Sequence, residues 1–402
     1  MKYPCTSIAL ILAGQTLALA SPFAFADSTA TDTPEALQQR LTALEHDVET
    51  LRQRALVSSD KGALVIGDTH LTIGGYVRGD LVYTDHGVNG KNALLGAPYV
   101  KAADDSQSQR LDMTARESRL YIKTRTMAGD KPLSTHLEAD FYGSDGTETV
   151  SNSHGLRLRH AYGSWGNLLI GQTWSTFMDL AALGDLNAFG QHASAIFVRQ
   201  TQVRYTQPFS GGSLMLALEN PEDGGDDNKT PDLVVRINAD GRWGHASLGA
   251  VSRELSDGVD HQRASALSLT AKFPLGSSDD VRLQYNQGAL GRYMGLGSYP
   301  NEDTARPRLQ GFDSWGASLA LRHVWSPALA STLMMSRTGA NDDAAEGGID
   351  TTKSLHANLM WTATAKVRFG AELAKWNVAT MSSGEAVEKS MKALQLSTRF
   401  MF

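Results

Sequence analysis

The chain has 402 residues, with 37 Lys and Arg against 43 Asp and Glu, a formal net charge of -6, 41% hydrophobic residues and a single Cys. This composition excludes a disordered or collagen-like chain, and the acidic balance disfavours nucleic-acid binding, which needs a basic face. Beyond the N-terminal segment there is no apolar run of about 18 to 20 residues, which excludes a helical transporter but not a membrane barrel, whose strands alternate.

The N-terminus has the pattern of a secretory signal peptide. Lys2 precedes an apolar stretch over 8–19, and Ala24-Phe25-Ala26 matches the small-x-small cleavage signal. The alternative, an anchoring helix, needs a longer apolar span. We therefore expect residues 1–26 to be removed. Cys5 lies inside that segment, so the mature chain is predicted to lack cysteine.

A short helix is predicted next, within a periplasmic segment over 27–62. Thr33, Pro34 and Glu35 supply a capping hydroxyl, a first-turn proline and an acid at the positive end of the helix dipole. The apolar residues then recur at heptad spacing, which predicts a coiled coil that assists oligomerisation. The charges at its g and e positions, Arg40 with Glu45 and Asp47 with Arg52, favour a parallel arrangement. The alternative is a lone amphipathic helix packed on its own domain. The heptad residues are Leu37, Leu41, Leu44, Val48 and Leu51.

From Leu71 onward the hydrophobic period changes to two, the spacing of a strand with one apolar and one polar face. Short turns alternate with long polar loops, as in an up-and-down membrane barrel. The sequence thus predicts an all-β fold: a 16-stranded antiparallel transmembrane β-barrel over 63–402, preceded by the short N-terminal periplasmic α-helical coiled coil. The predicted strands are 71–83, 111–126, 133–142, 156–165, 168–175, 196–207, 213–219, 232–239, 243–252, 262–273, 280–288, 312–325, 330–337, 353–362, 367–377 and 390–402.

Aromatic residues at the strand ends distinguish a membrane barrel from a soluble β-sandwich. Tyr83 and Trp315 stand toward the long loops, and Trp325 and Trp361 stand toward the short turns, which predicts two aromatic belts. The chain ends on Phe402, which resembles the assembly signal of outer-membrane barrels. We therefore expect the barrel to lie in the bacterial outer membrane, in contact with its lipid and lipopolysaccharide.

Alternation also assigns charged residues to the pore wall. A ring of guanidinium groups in a narrow channel favours anions and can hold carboxylates through paired hydrogen bonds. The alternative is that the arginines and acids pair in ladders that only stiffen the wall. The predicted inward basic residues are Arg78, Arg119, Lys123, Arg125, Arg157, Arg159, Arg204, Arg236, Lys272, Arg282, Arg322, Arg337, Arg368 and Arg399, and the predicted inward acids are Asp80, Glu117, Glu138, Asp140, Glu219 and Glu372.

Within this set, eleven residues are the candidate pore-lining and solute-binding side chains. Arg116 and Arg199 fall on the outward parity, which predicts either a bulge or a contact with a neighbouring subunit. The candidates are Arg78, Asp80, Arg119, Lys123, Glu138, Arg157, Arg159, Arg204, Arg236, Arg282 and Arg322.

The connection over 176–195 is apolar and small, unlike the other long loops. Such a loop is expected to fold into the barrel mouth and narrow the pore rather than spread in water. Its polar residues Asp179, Asp185 and Asn187 are the candidate constriction residues. The alternative is a loop that covers a contact between subunits.

Three segments resemble the DcaP-like family of outer-membrane porins. They are Arg157-Leu158-Arg159-His160-Ala161-Tyr162-Gly163, Leu169-Ile170-Gly171-Gln172-Thr173-Trp174-Ser175-Thr176-Phe177, and Arg199-Gln200-Thr201-Gln202-Val203-Arg204-Tyr205. The resemblance is strongest over about 111–220. It implies a homotrimeric porin with an N-terminal periplasmic coiled coil that passes small anionic solutes such as dicarboxylates.

The resulting functional prediction is a water-filled channel for passive uptake of small anionic solutes through an arginine-rich constriction. The alternatives are a general diffusion porin of low selectivity and a barrel enzyme or adhesin with a plugged pore. No G-x-S-x-G or H-E-x-x-H string is present, so we expect no enzyme activity, no catalytic residues, no metal site and no cofactor.

Overall fold

The structure, a computed structural model, describes residues 38, 40–45, 57–58, 63–86, 100–101, 109–144, 151–188, 191–221, 229–294, 299–304 and 308–402. The predicted signal peptide and the heptad residues Leu37, Val48 and Leu51 lie outside the described residues. Leu41 and Leu44 are helical, with 60% and 62% of their surfaces exposed. None of the described helical residues belongs to a segment long and apolar enough to cross a bilayer. The coiled-coil assembly stays a prediction.

The chain divides into a unit over 1–55 and a unit over 56–402 that contains the sheet. The strand bounds are β1 (Val57–Ser58), β2 (Ala63–Ile66), β3 (Thr69–Thr84), β4 (Arg110–Thr114), β5 (Arg119–Ala128), β6 (Lys131–Asp140), β7 (Arg157–Trp165), β8 (Leu168–Trp174), β9 (Arg199–Phe209), β10 (Gly212–Glu219), β11 (Asp232–Gly241), β12 (Gly244–Ser256), β13 (His261–Leu275), β14 (Asp279–Gly288), β15 (Ser314–Ser326), β16 (Leu329–Ala340), β17 (Ile349–Thr364), β18 (Val367–Ser382) and β19 (Glu385–Met401).

These strands form a closed 16-stranded antiparallel β-barrel, as predicted. Strands β4 and β5 both pair with β3 and together make one barrel strand, whereas β1 and β2 are a short addition at the start of β3. The last strand pairs with β3, for example Leu396 opposite Leu81, so the barrel closes and has no free edge.

The alternation of side chains follows the predicted period of two. In β3, Arg78 and Asp80 are buried inside the barrel, while Ile73 and Val77 are more than half exposed on the outer face. Trp325, Trp361 and the terminal Phe402 are likewise exposed on the outside at the rim of the short turns. The outer face therefore has the apolar band and aromatic belt that contact lipid in a membrane barrel.

The inside of the barrel contains an apolar core at the end nearest the long loops, which alternation did not predict. Inward residues such as Val234, Trp376 and Met391 pack there against Phe177 and Ile196 from the segment after β8. The described residues between 289 and 312 add a second inserted segment, with a 3-10 turn at Gly291–Met294. Each buried large apolar side chain contributes about 1.5–3 kcal/mol, which favours docking of both segments. The buried apolar residues of the second inserted segment are Leu290, Tyr293, Met294, Tyr299 and Phe312.

Candidate functional site

The segment over 175–198 is here called the constriction loop, and its described residues, 175–188 and 191–198, lie in the interior of the barrel. Its first part is held by inward side chains of β9 to β12. The Ser175 hydroxyl donates to Glu219 Oε2 at 2.7 Å, and Arg236 donates to the Met178 carbonyl. Asp179 lies 3.0 Å from His245 Nε2 and its side chain is 4% exposed. Asp179 therefore anchors the loop to the wall and does not face the pore.

The middle of the constriction loop reaches the opposite wall. Asp185 Oδ2 lies 3.1 Å from Arg322 Nε and 3.7 Å from Arg282 Nη2, and 62% of its side chain is exposed. Asn187 is 1% exposed, and its carbonyl accepts a hydrogen bond of 2.6 Å from Arg78 Nη2. Of the three predicted constriction residues, Asp185 thus presents a charge to the pore, while Asn187 is a second anchor.

Two buried side chains on the wall join both halves of the loop. Glu372 accepts the Asn187 N–H at 2.5 Å and lies 3.0 Å from His356 Nδ1. His356 Nε2 lies 3.1 Å from the Ser354 hydroxyl, which also accepts the Ala193 N–H at 3.3 Å. A continuous polar path therefore runs from residue 187 through the wall to residue 193. Sequence reasoning placed Glu372 in the lumen but did not identify this role.

Ser354, His356 and Glu372 have the connectivity of a hydrolytic triad, but they are enclosed. The three residues are 4%, 0% and 2% exposed, and the loop covers the hydroxyl. A substrate carbonyl could not approach Ser354 without displacing the loop, so the arrangement supports anchoring rather than acyl transfer. No group of three metal-ligating side chains occurs in the described part of the chain.

The return part of the loop contains His192, whose ring is fully buried. Its Nδ1 lies 3.1 Å from the Ser194 hydroxyl, and Nε2 has no hydrogen-bond partner among the described residues. Burial lowers the pKa of His192 to about 3, and the nearby His356 acts in the same direction. His192 is therefore neutral while the loop is docked.

Side-chain hydrogen bonds and ion pairs connect the described residues of the constriction loop with β3 and with β9 to β19. A second group of charged side chains lies on the pore wall formed by β5 to β7. There Arg159 pairs with Glu138 at 2.6 Å and Asp140 at 2.8 Å, and Arg157 pairs with Asp140 at 2.7 Å. Arg119 lies 3.6 Å from Glu138 and is 23% exposed.

A bulge in β7 concentrates these groups on one face. Glu138 is opposite His160 and Ala139 is opposite Leu158, so Arg159 has no partner in the ladder. The bulge lets Arg157, Arg159 and His160 all face the lumen, although strict alternation would turn one of them outward. A turn at 115–118, between β4 and β5, likewise inserts one extra residue relative to β3. It places the Glu117 carboxylate 2.8 Å from Arg78 Nη1. The predicted bulge near Arg116 is therefore present.

Aromatic and histidine rings line the same wall. His136 and His160 are stacked with centroids 5.2 Å apart, and Tyr121 and Tyr162 meet His136 edge-on at 6.2 Å and 5.5 Å. Arg199, which alternation placed outward, stacks on Trp174 at 4.2 Å from the ring centroid. This wall thus combines cations with flat rings.

The remaining predicted pore residues differ in how fully their charge is neutralised. Arg78 pairs with Asp80 at 2.7 Å, and Arg282 pairs with Asp280 at 2.6 Å, as the ladder alternative expects. Arg236 bonds to the loop. Arg337 was wrongly predicted to face inward: it is exposed on the outer surface, 5.8 Å from the Trp315 ring centroid. By contrast, inward cations without an ion pair among the described residues are Lys123, Arg125, Arg204 and Arg368.

Backbone conformation and close packing explain why a glycine occupies position 171 in β8. Gly171 has a φ of 126°, and a Cβ at this position would lie 2.3 Å from the Ala161 carbonyl oxygen. Any other residue would strain the strand or push it from β7. The close approach keeps β8 against the wall that carries Arg157 and Arg159.

Comparison with known proteins identifies the family. The model of the DcaP outer membrane protein family matches residues 37–402. The chain belongs to this family. The protein is therefore an outer-membrane porin, and it lies in the bacterial outer membrane. None of the curated proteins compared with the chain matches it.

Solved structures confirm the porin fold. The DcaP channel of Acinetobacter baumannii has a TM-score of 0.75 at 20% identity, covering 83% of this chain and 97% of that one. A Comamonas acidovorans porin described as anion-selective has a TM-score of 0.57 at 14% identity, over 83% and 100%. The trimer form of OmpT from Vibrio cholerae has a TM-score of 0.54 at 13% identity, over 83% and 99%.

Proposed function

We propose that this porin forms a passive channel for small anionic solutes, with dicarboxylates as the preferred class. The observation that carries the proposal is the set of inward cations without an acidic partner among the described residues: Lys123, Arg125, Arg204 and Arg368. Fixed positive charge in a narrow aqueous lumen lowers the free energy of an anion there. A solute with two carboxylates can contact two cations at once.

The partial exposure of the paired arginines adds to this preference. Arg119, Arg157 and Arg399 keep 23%, 30% and 25% of their side-chain surface accessible, although each lies near an acid. Their partners Glu117 and Asp140 are 4% and 0% exposed. A passing solute therefore meets the guanidinium groups rather than the carboxylates behind them. The exposed carboxylate of Asp185, on the constriction loop, adds a negative charge to the pore and partly offsets the anion preference.

Liposome swelling tests the substrate class. Proteoliposomes containing the porin are expected to admit succinate faster than erythritol, an uncharged solute with the same number of carbons, and faster than putrescine, the corresponding dication. Equal rates for the three solutes would favour the alternative, a general diffusion porin of low selectivity. A barrel with a plugged pore, as in an enzyme or adhesin, would admit none of them.

We also propose two partners for the porin, namely two further copies of the same chain and lipopolysaccharide. A homotrimer is supported by the OmpT neighbour, which is described in a trimer form, and by the heptad pattern of the N-terminal segment. Light scattering of the detergent-solubilised protein tests it: a mass of three chains is expected, and a single chain would contradict it. Lipopolysaccharide is the proposed lipid partner at the rim of the long loops.

A further inference from the structure

Four basic side chains form a cluster on the outer face of the barrel near the long-loop rim. They lie on four adjacent strands, β16 to β19, and all are exposed. With strands about 4.8 Å apart, the cluster spans about 15 Å along the barrel surface. We call it the rim cluster. Its members are Arg337, Lys353, Lys375 and Lys392.

The depth of the rim cluster follows from the residues beneath it. Two positions nearer the short turns on each strand, the outward side chain is apolar, which marks the lipid-facing band. A cation at the edge of that band lies at the level of lipid phosphates. Arg337 also lies over Trp315 of the aromatic belt. The apolar residues beneath the cluster are Met335, Leu355, Leu373 and Leu394.

Within the barrel the cluster is electrostatically unfavourable. Arg337 is the direct cross-strand partner of Lys353, and Lys375 is the direct partner of Lys392. Like charges in these positions repel and destabilise a sheet. Glu388 lies 3.3 Å from Lys353 and offsets that charge. In the described part of the chain no acid lies within ion-pair distance of Arg337, Lys375 or Lys392.

Other charged groups near the cluster are already engaged. Asp85 accepts the backbone N–H of Lys392 at 2.7 Å and lies 3.1 Å from His86 Nδ1. Asn377 donates to Glu388 at 2.7 Å, which holds that carboxylate beside Lys353. A net positive charge therefore remains at a depth where lipid phosphates are present.

The geometry points to a phosphate-binding site for lipopolysaccharide at Arg337, Lys375 and Lys392. The site rests on the proposed lipopolysaccharide contact and is independent of the selectivity of the pore. A glycolipid with two phosphates fits a row of cations about 15 Å long better than a phospholipid with one phosphate. Its phosphates relieve the repulsion between the facing lysines, and its acyl chains lie on the apolar band.

Native mass spectrometry of the full mature protein in detergent tests this site. The probes are bis-phosphorylated lipid A, dephosphorylated lipid A and phosphatidylglycerol. The R337Q/K375Q/K392Q variant removes three exposed charge contacts and is expected to bind bis-phosphorylated lipid A about tenfold more weakly. The K131Q/R242Q/K366Q variant removes three exposed charges at the short-turn rim and should bind like the wild type.

Wild-type protein should prefer bis-phosphorylated lipid A over both other lipids. Equal binding of phosphatidylglycerol, or of dephosphorylated lipid A, would overturn the assignment to a phosphorylated glycolipid. Unchanged binding in R337Q/K375Q/K392Q would overturn the site while leaving the general contact intact. Absence of lipid A binding in the wild type would overturn both the contact and the site. Heat-modifiability in gels verifies that each variant is a folded barrel.

Discussion

Replacing Glu372 tests whether the constriction loop is held by the buried path through His356. Glu372 is 2% exposed and accepts the N–H groups of Asn187 at 2.5 Å and Ala188 at 3.3 Å. E372Q keeps the shape and one acceptor oxygen, so it loses mainly the charge assistance of these bonds. The docked loop should therefore lose about 1 kcal/mol of stability, the difference between charged and neutral hydrogen bonds. The ratio of undocked to docked loop should rise about fivefold.

E372A removes every acceptor and leaves the loop N–H groups and His356 without partners. We expect the docked loop to lose about 3–5 kcal/mol of stability, so that the ratio of undocked to docked loop rises about 10²- to 10⁴-fold. The readout is single-channel recording in planar bilayers. Excursions of the open-channel current should become more frequent in the order wild type, E372Q, E372A, because an undocked loop changes the width of the pore.

The matched control is E385Q, the same chemical change at an exposed residue at the start of β19. Its current noise should equal that of the wild type. If E372A keeps the conductance and noise of the wild type while remaining a folded barrel, the loop is held by its other contacts. The assigned role of Glu372 would then be wrong.

The remaining predictions concern selectivity, pH and assembly. K123E/R204E should lower the chloride-to-potassium permeability ratio by about threefold or more. The control K131E/K366E, at the short turns, should leave this ratio unchanged. If both variants change the ratio equally, Lys123 and Arg204 do not line the conduction path. Because burial lowers the pKa of His192 to about 3, an undocked His192 binds a proton more readily than a docked one, so docking weakens as pH falls from about 6.5 toward 3. Current noise should rise on acidification, and H192N should abolish the rise; a persistent rise would exclude His192 as its cause. Deleting 33–56 should leave a folded trimer that dissociates at lower temperature in gels, and complete loss of the trimer would mean that the helix drives assembly.

The strand pattern was readable from the sequence because one face of each strand meets hydrocarbon and the other faces the lumen. The sixteen strands and the inward side of Arg78 and Asp80 follow from that period, and the closed barrel follows once the alternation of short turns with long loops and the aromatic strand ends are added. Arg337 was misplaced because Leu333, Met334 and Met335 are three consecutive apolar residues, which hide the parity of β16. Met334 is 1% exposed and packs inside the barrel.

The site was only partly predictable, since it depends on irregularities and long-range contacts. Alternation carries no signal for the bulge that turns both Arg159 and His160 toward the lumen. The apolar composition of 176–195 indicated insertion into the barrel, but the pairing of Asn187 with Glu372 joins residues 185 positions apart. No local pattern encodes such a contact, so the anchoring role of Glu372 required the structure.

The reversal potential in a potassium chloride gradient measures directly which ion the lumen favours. With the wild-type porin in a planar bilayer, we expect a reversal potential of the sign set by chloride, with a magnitude that decreases at high ionic strength as fixed charges are screened. A reversal potential near zero at low salt, or one of the sign set by potassium, would contradict an anion-selective basic lumen.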